Sequence, residues 1–432
     1  MLSVSKKFLR SNTKTTHQTM PGLSLILSRL EDRYASTCCK VCNLCSRSAH
    51  GELTVTCHYN AGKSNQKMLG SSLADKSALV LELGARFARC GVSGERSPRC
   101  VEPWQMGNML QKPRSATEWH QFLYPMLNKV CFELLLVNPT RRHFVVCEDL
   151  LLPRVFRTTL LDILYNMLKA SAVTLVPSML AVLYATANHT ALVVDCGWSE
   201  TRVLPVYKGI PLPHLYETVS IGSRDCCEII QRELNNLQDQ PMESSQMIIS
   251  VTGAIAEDIL ERACFAQQID PLQNIVDAKF QMQDSAVLQV PGNLRTDAVE
   301  PLLLGGEKSE GNSIVDGIVN VLKRTPIDVR AAMLENLLLV GGTAMIPGLL
   351  HRVLAEVCEA LRQDNEFASA SATIDRTQLV PTYFPRNMLA WVGGSIYAAT
   401  ESARMAAITS QEYSSSKGTC IPDWLTVAED EF

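Results

Sequence analysis

The sequence predicts a mixed α/β fold assembled from two like halves, and three observations carry that prediction. First, two segments echo each other: Ala78-Leu79-Val80-Leu81-Glu82-Leu83-Gly84 and Ala191-Leu192-Val193-Val194-Asp195-Cys196-Gly197. Each is an apolar run closed by an acid, one further residue and a glycine. Each leads into a second short β-rich run, the pattern of a strand–turn–strand hairpin. Second, amphipathic stretches of helical period lie between and beyond these runs. Third, strands and helices alternate after Asp75, which favours sheets covered by helices. The two hairpins suggest a duplicated domain whose turns face one nucleotide in a cleft. Turn N–H groups can hold phosphate oxygens, and an acid at a strand end can hold a hydrated divalent cation.

Taken in order, strands are expected at Ser77–Leu83, Phe144–Cys147, Ala191–Cys196, Arg202–Tyr207 and Asn336–Val340. A helix over Arg154–Ala170 rests on Phe156, Leu160, Ile163, Leu164, Met167 and Leu168 at helical spacing. Pro177–Ala187 reads as a second, more uniformly apolar helix leading into the second acid-bearing strand. Leu349, Leu350, Val353, Leu354, Val357, Cys358 and Leu361 mark another amphipathic helix, its start set by Pro347-Gly348. Gly305–Asn312 and Gln363–Thr373 read as loops.

A chain of 432 residues can bury a large core, and its length suggests two to three domains. The formal net charge of −4 implies no general affinity for nucleic acid or other polyanions. No run of eighteen apolar residues argues for a membrane span. The chain has fifteen cysteines, but no apolar h-region of a signal peptide opens it. Cys90, Cys131, Cys147, Cys196, Cys264 and Cys358 sit in apolar periodic segments, as buried free thiols do. We therefore expect a reducing compartment and no disulfide framework.

Residues 1–76 are different material: polar, rich in Ser and Thr, weakly periodic. Lys6, Lys7, Arg10 and Lys14 precede the first acid, Glu31, a composition shared with mitochondrial presequences and with disordered tails. Cys38, Cys39, Cys42, Cys45, His50, Cys57 and His58 include Cys-x-x-Cys spacings of the kind that ligate zinc. No recognisable finger surrounds them, and unligated thiols in a tail are the other reading.

From about Ser77 to Val427 the sequence resembles the actins and actin-related proteins, through several separated motifs in the right order. They are Leu204-Pro-Val-Tyr-Lys-Gly-Ile-Pro-Leu-Pro-His214, Gly222-Ser-Arg-Asp225, Val340-Gly-Gly-Thr-Ala-Met-Ile-Pro-Gly348, Trp391-Val-Gly-Gly-Ser-Ile396 and Ile408-Thr-Ser-Gln-Glu-Tyr413. The resemblance implies an actin/Hsp70/hexokinase-like two-domain α/β fold around a central nucleotide cleft. Residues 77–185, completed by 389–432, would form the first actin-like domain, and 186–388 the second; 1–76 would be a divergent, disordered extension.

Carried over residue by residue, the resemblance implies a nucleotide site at Glu82, Gly84, Arg89, Asp195, Gly197, Glu261, Gly341, Gly342 and Met345. Asp195 would hold Mg2+ indirectly, through water, and the ligand would be ATP or ADP in a structural, clamping role. Several family positions have changed. Glu82 stands for a shorter Asp, Ala85 for a phosphate-binding Ser, and Arg86 for a Gly. Trp198 replaces an acid, Ser199 a Gly, and Leu260 a Lys. Ser178 stands where the family keeps the Gln that orients the attacking water, and a Ser side chain is too short for that route. Since positioning a nucleophile supplies much of such a barrier lowering, the resemblance implies no enzyme and no catalytic residue. Each position also has a plainer reading: Gly341 and Gly342 as permissive turn residues, Asp195 as a turn hydrogen-bonder, Ser178 as a helix cap.

The family places a whole subdomain between the first phosphate loop and the strand at Phe144. Here that interval holds only Glu95–Arg142, passing Pro98, Cys100, Pro103, Trp104 and Pro113 before a helix-like Thr117–Val137. The second subdomain is thus expected to be largely reduced and to lack the loop that inserts into the next filament subunit. A subunit with one docking face terminates an open, heterologous assembly. Within the family, the likeness is to the divergent actin-related member at the pointed end of dynactin. That implies a cytoplasmic, cytoskeletal, non-homopolymerising partner of an actin-related filament end and of other pointed-end subunits. Through them it would bear indirectly on dynein and cargo adaptors in microtubule-based transport. The competing expectations are an ATPase of the same fold, a nuclear actin-related subunit of a chromatin complex, and a mitochondrial protein. If the cleft clamps two domains, Asp195→Ala should lower the melting temperature and weaken assembly with no catalytic effect, which thermal melting and incorporation into the complex would measure.

Overall fold

Two hairpins of one design seed two sheets. The computed structural model describes residues 77–104, 106–238, 250–269, 275–282, 287–306, 309, 311–367, 370–416 and 418–424, all within the unit Ser71–Phe432. The N-terminal basic run and the Cys38–His58 cluster lie outside the described residues. Along the first half run β1 (Leu79–Leu83), β2 (Phe87–Val92), β3 (Cys100–Pro103), α1 (Ala116–Lys129), β4 (His143–Glu148), α2 (Arg154–Asp162), β5 (Ala172–Pro177) and α3 (Ser178–Thr186). Then come β6 (Ala191–Cys196), β7 (Thr201–Tyr207), β8 (Ile210–Pro211), β9 (Glu217–Val219), α4 (Ser223–Gln238), α5 (Gly253–Ala263), β10 (Ala278–Gln281) and β11 (Val287–Val290). The main elements end with α6 (Ile314–Arg324), α7 (Ile327–Leu334), β12 (Leu337–Val340), α8 (Leu349–Gln363), α9 (Leu389–Tyr397) and β13 (Ile408–Thr409).

The first sheet has the order β13-β5-β4-β1-β2-β3, and the second β12-β6-β7-β8 with β9 also on β7. In each sheet an antiparallel hairpin takes a parallel neighbour on its first strand, β4 beside β1 and β12 beside β6. The register repeats as well: Glu82 lies opposite Arg89, and Asp195 opposite Arg202.

Strand alternation divides the core. Leu79, Leu81 and Leu83 face one cluster with α1 and α2, while Val80 faces another. Likewise Leu192 and Val194 face the cluster of α4, α6 and α8, and Val193 faces the one that β1 shares. That shared middle layer contains α3 and α9, so the two sheets meet through this helix pair. Both helices are apolar nearly all round, as fully enclosed helices must be.

The crossing is close because α9 carries adjacent glycines. A Cβ on Gly393 would stand 1.7 Å from the Ala181 carbonyl oxygen, and one on Gly394 2.3 Å from Cys147 Sγ. Trp391, fully buried, donates from Nε1 to the Val80 carbonyl at 3.1 Å. Beside this layer the wholly buried Glu148 accepts from Arg157 Nε at 3.1 Å, from Arg157 Nη2 at 2.7 Å and from Trp424 Nε1 at 2.7 Å.

The structure moves several expected boundaries. The single helix expected over Arg154–Ala170 is α2 followed by a π turn, Ile163–Met167, in which Leu168 N–H reaches the Ile163 carbonyl at 3.0 Å. It ends at Lys169, whose φ is 56°. The helix over Thr117–Val137 ends the same way, with α1 giving way to a π turn at Val130–Leu134 and Leu136 at φ 52°. Between β2 and β4 the chain also forms an edge strand, β3, that spacing alone did not suggest. Gln363–Thr373 is not wholly loop: Gln363 ends α8, and helical turns form at Asn365–Phe367 and from Ser371, pinned by buried Phe367 and Ile374. Cys90, Cys131, Cys147, Cys196 and Cys264 are buried free thiols, with Cys358 half-buried.

Gly393→Ala should lower stability by about 3 kcal/mol, because a methyl there has only backbone to displace. A methyl on Gly253 would meet nothing within 4 Å, so Gly253→Ala should gain roughly 0.5 kcal/mol by restricting the unfolded chain. Denaturant unfolding of both variants measures the difference.

Candidate functional site

The two hairpin turns face a common cleft of about 450 Å³. In the first, Gly84 N–H donates to the Phe87 carbonyl at 3.1 Å; in the second, Gly197 N–H donates to the Glu200 carbonyl at 3.0 Å. Both positions need glycine, since a Cβ would fall 3.0 Å from Phe87 O and 2.8 Å from Glu200 O respectively. The first turn is propped from outside by the short interval that follows β2. Trp104 Nε1 donates to Gly84 O at 2.7 Å, Gly107 N–H to Ala85 O at 2.8 Å, and Trp104 N–H to Arg86 O at 3.2 Å.

All nine residues expected at the site line this cleft: Glu82, Gly84, Arg89, Asp195, Gly197, Glu261, Gly341, Gly342 and Met345. Ser178 lines it too, at the first turn of α3. Gly341 sits at φ 95°, a left-handed conformation, and a Cβ there would meet Cys196 O at 2.3 Å and Asp195 Oδ1 at 2.7 Å. Thr343 Oγ1 donates to Gly197 O at 2.6 Å, tying the loop after β12 to the second turn. On this side Gly342 has open space where a side chain would begin, and Met345 is 46 % exposed. Burial, with Glu257 and Asp258 nearby, raises the Glu261 carboxyl above its ordinary range.

The turn side carries the charge. Arg89 Nη1 bonds Glu82 Oε1 at 2.8 Å, leaving Glu82 Oε2 buried with no partner. Burial raises the Glu82 carboxyl above its ordinary 4.5, despite Arg89. Arg202 Nη2 lies 2.6 Å from Asp149 and 2.6 Å from Glu200, and its Nη1 3.4 Å from Asp195. Burial weighs against the Arg202 cation, yet Asp149, Glu200 and Asp195 together outweigh it and raise its pKa. Burial also raises Asp195 itself. Arg86 donates to both Glu257 oxygens, at 3.2 and 2.8 Å, and its guanidinium lies 5.3 Å from the Phe87 ring centre and 5.5 Å from that of Trp198. Arg386 is held by the Leu339 and Val380 carbonyls at 2.7 and 3.1 Å, and burial lowers its pKa.

Tested against a nucleotide with its cation, the two sides of the cleft differ. Glu261, Gly342 and Met345 leave room for a base and sugar, and the second orphaned acceptor, Asn387 Oδ1, faces the same cleft. On the turn side, Arg86, Arg89 and Arg202 each already hold a carboxylate. A cation held through water at Asp195 would share that carboxylate with Arg202. Among the described residues no group of three or more His, Cys, Asp or Glu is disposed to hold a metal.

Duplicated hairpins, each with a parallel partner strand and facing one cleft, define the actin class of two-sheet α/β proteins. A model of the actin family matches residues 116–421, most of the chain, and the chain belongs to that family. It is similar to actin-related protein 10 of Dictyostelium discoideum, with 24 % identity over 425 residues, 81 % of this chain and 89 % of that protein. The family match begins where α1 begins, so the first turn lies outside it; its likeness to the second turn is shown by hydrogen bonding and register.

Sequence reasoning missed Asp149, Glu200, Arg202, Glu257, Arg386 and Asn387. One signal was present: each cleft acid is followed at the same spacing by an arginine, Glu82 by Arg89 and Asp195 by Arg202, the offset that places them opposite each other in the hairpin. Because burial raises Glu82, its ionised form disfavours the fold. The group's contribution is greatest below 4.5 and is lost as pH rises through the raised folded value. Glu82→Gln should therefore flatten the pH dependence of stability between 4.5 and the raised folded value, as denaturant titrations at several pH values would record.

Proposed function

We propose that this chain is a non-polymerising, actin-related structural subunit of the dynactin pointed-end complex. It caps the actin-related filament and supports dynein-driven, microtubule-based cargo transport in the cytoplasm. One observation carries the reading: the interval from Glu95 to Arg142 folds back onto its own sheet. Its strand β3 pairs with β2, with Arg89 opposite Val101 and Cys90 opposite Cys100. Trp104 closes on the first turn, and α1 buries Trp119, Leu123 and Leu127 against β1 and α2. Trp104, Trp119, Leu123 and Leu127 of this interval thus belong to the first sheet's core. A stable contact needs about 800 Å² per partner, and a subunit lacking one of two docking faces ends the assembly it joins. The likeness to actin-related protein 10 supports the same reading.

In this reading the protein has no catalytic residue. Ser178, Ala85 and Trp198 stand where the family's water-positioning and phosphate-facing groups would be, so ATP or ADP entering the cleft would not be turned over at an enzyme's pace. The partners are the filament end and the other pointed-end subunits, with dynein and cargo adaptors reached through them.

Recombinant full-length protein should remain non-sedimenting under conditions in which actin-family proteins polymerise. Native mass spectrometry of dynactin from the source cells should find it beside the pointed-end subunits. Long homopolymers, or association with chromatin-remodelling subunits in place of dynactin, would defeat the reading.

A further inference from the structure

The family reading gives a bound polyphosphate and its divalent cation the task of bridging the cleft, yet in this chain arginines already span it. Arg202, on β7 of the second sheet, reaches Asp149, which follows β4 of the first, at 2.6 Å. Arg86, in the first turn, makes a bidentate ion pair with Glu257 of α5, which packs with the second sheet's cluster. The same guanidinium lies against Trp198 of the second turn. We propose that Arg202 and the Arg86–Glu257–Trp198 contact replace cation and polyphosphate as the clamp, so that this chain closes its cleft with side chains alone. The proposal goes beyond the capping role and does not depend on it.

Three features of the cleft converge. The guanidinium of Arg202 sits among Asp149, Asp195 and Glu200, with side-chain exposures of 16, 13, 21 and 35 % respectively. That is the kind of negative pocket a divalent cation and its waters would neutralise, and a bound guanidinium neutralises it without metal. Arg86 stands where a glycine would let the backbone approach phosphate, and its bidentate geometry is one that matches a carboxylate as well as it matches phosphate. Finally, with Glu148 neutralised from behind by Arg157, six other carboxylates line the cleft against four guanidiniums, a balance that does not favour a polyanion without a metal. Trp198 fits the same logic: its indole ring lies 5.5 Å from the Arg86 guanidinium and stabilises that cation without competing with Glu257 for it.

The test is thermal melting of the full-length protein with EDTA, with Mg-ATP and with Mg-ADP, beside isothermal titration with the same nucleotides. A ligand that clamps the fold at about a hundred times its dissociation constant raises Tm by several degrees. The wild-type Tm should instead move by less than about 1 °C across all three conditions. Glu257→Gln should lower Tm, and the swap Arg86→Glu with Glu257→Arg should restore most of the loss. The double variant Arg86→Gly, Arg202→His should gain a Tm response to Mg-ATP of about 3 °C or more. A wild-type rise of that size with Mg-ATP, a swap that restores nothing, or a folded double variant as indifferent to nucleotide as the wild type would each overturn the proposal.

Discussion

The closeness of α3 and α9 is the constraint on which the rest of this fold depends. Two sheets that share no strand are joined through one helix pair, and the pair fits only because Gly393 and Gly394 bring backbone against backbone and against Cys147. Trp391, anchored to the Val80 carbonyl, fixes the depth of α9 against β1. The ends of β1 and β6, each with its acid and its turn, are thereby set facing one another. The cleft is thus a consequence of helix packing and of its turn glycines, and not of the charged side chains that line it.

Each hairpin keeps an acid–arginine pair in register, and the second arginine gathers two further carboxylates around it. Buried carboxylates are tolerated when a cation and hydrogen bonds answer them. Here the answering cations belong to the protein, and the same is true behind the cleft, where Arg157 and Trp424 satisfy Glu148. The interval after β2 contributes in a different way: Trp104 and Gly107 hold three consecutive carbonyls of the first turn. The segment is a structural support for the turn it follows.

What could be read from the sequence was whatever is local or periodic. Ala191–Cys196 was placed to the residue because an apolar run bounded by turn residues has few alternatives. The start of α8 followed from Pro347-Gly348, and the glycine is indeed left-handed, at φ 81°. The ends of α2 and α1 were misjudged because their apolar spacing continues through a π turn, which shifts the hydrogen bonds without breaking the pattern. Strand β3 was invisible because four residues at a sheet edge, one of them Pro103, carry too little alternation to stand out.

By itself, the sequence determined the duplicated hairpins, the family and nine of the residues that line the cleft, because strand period, turn chemistry and ordered motifs are written along the chain. Only the tertiary structure decided what the altered positions do. Arg86 meets Glu257 across 171 residues of chain, and Arg202 meets Asp149 from a different sheet. No local pattern encodes those meetings; they arise because helix packing brings distant charges within reach in a space too dry to leave them unanswered.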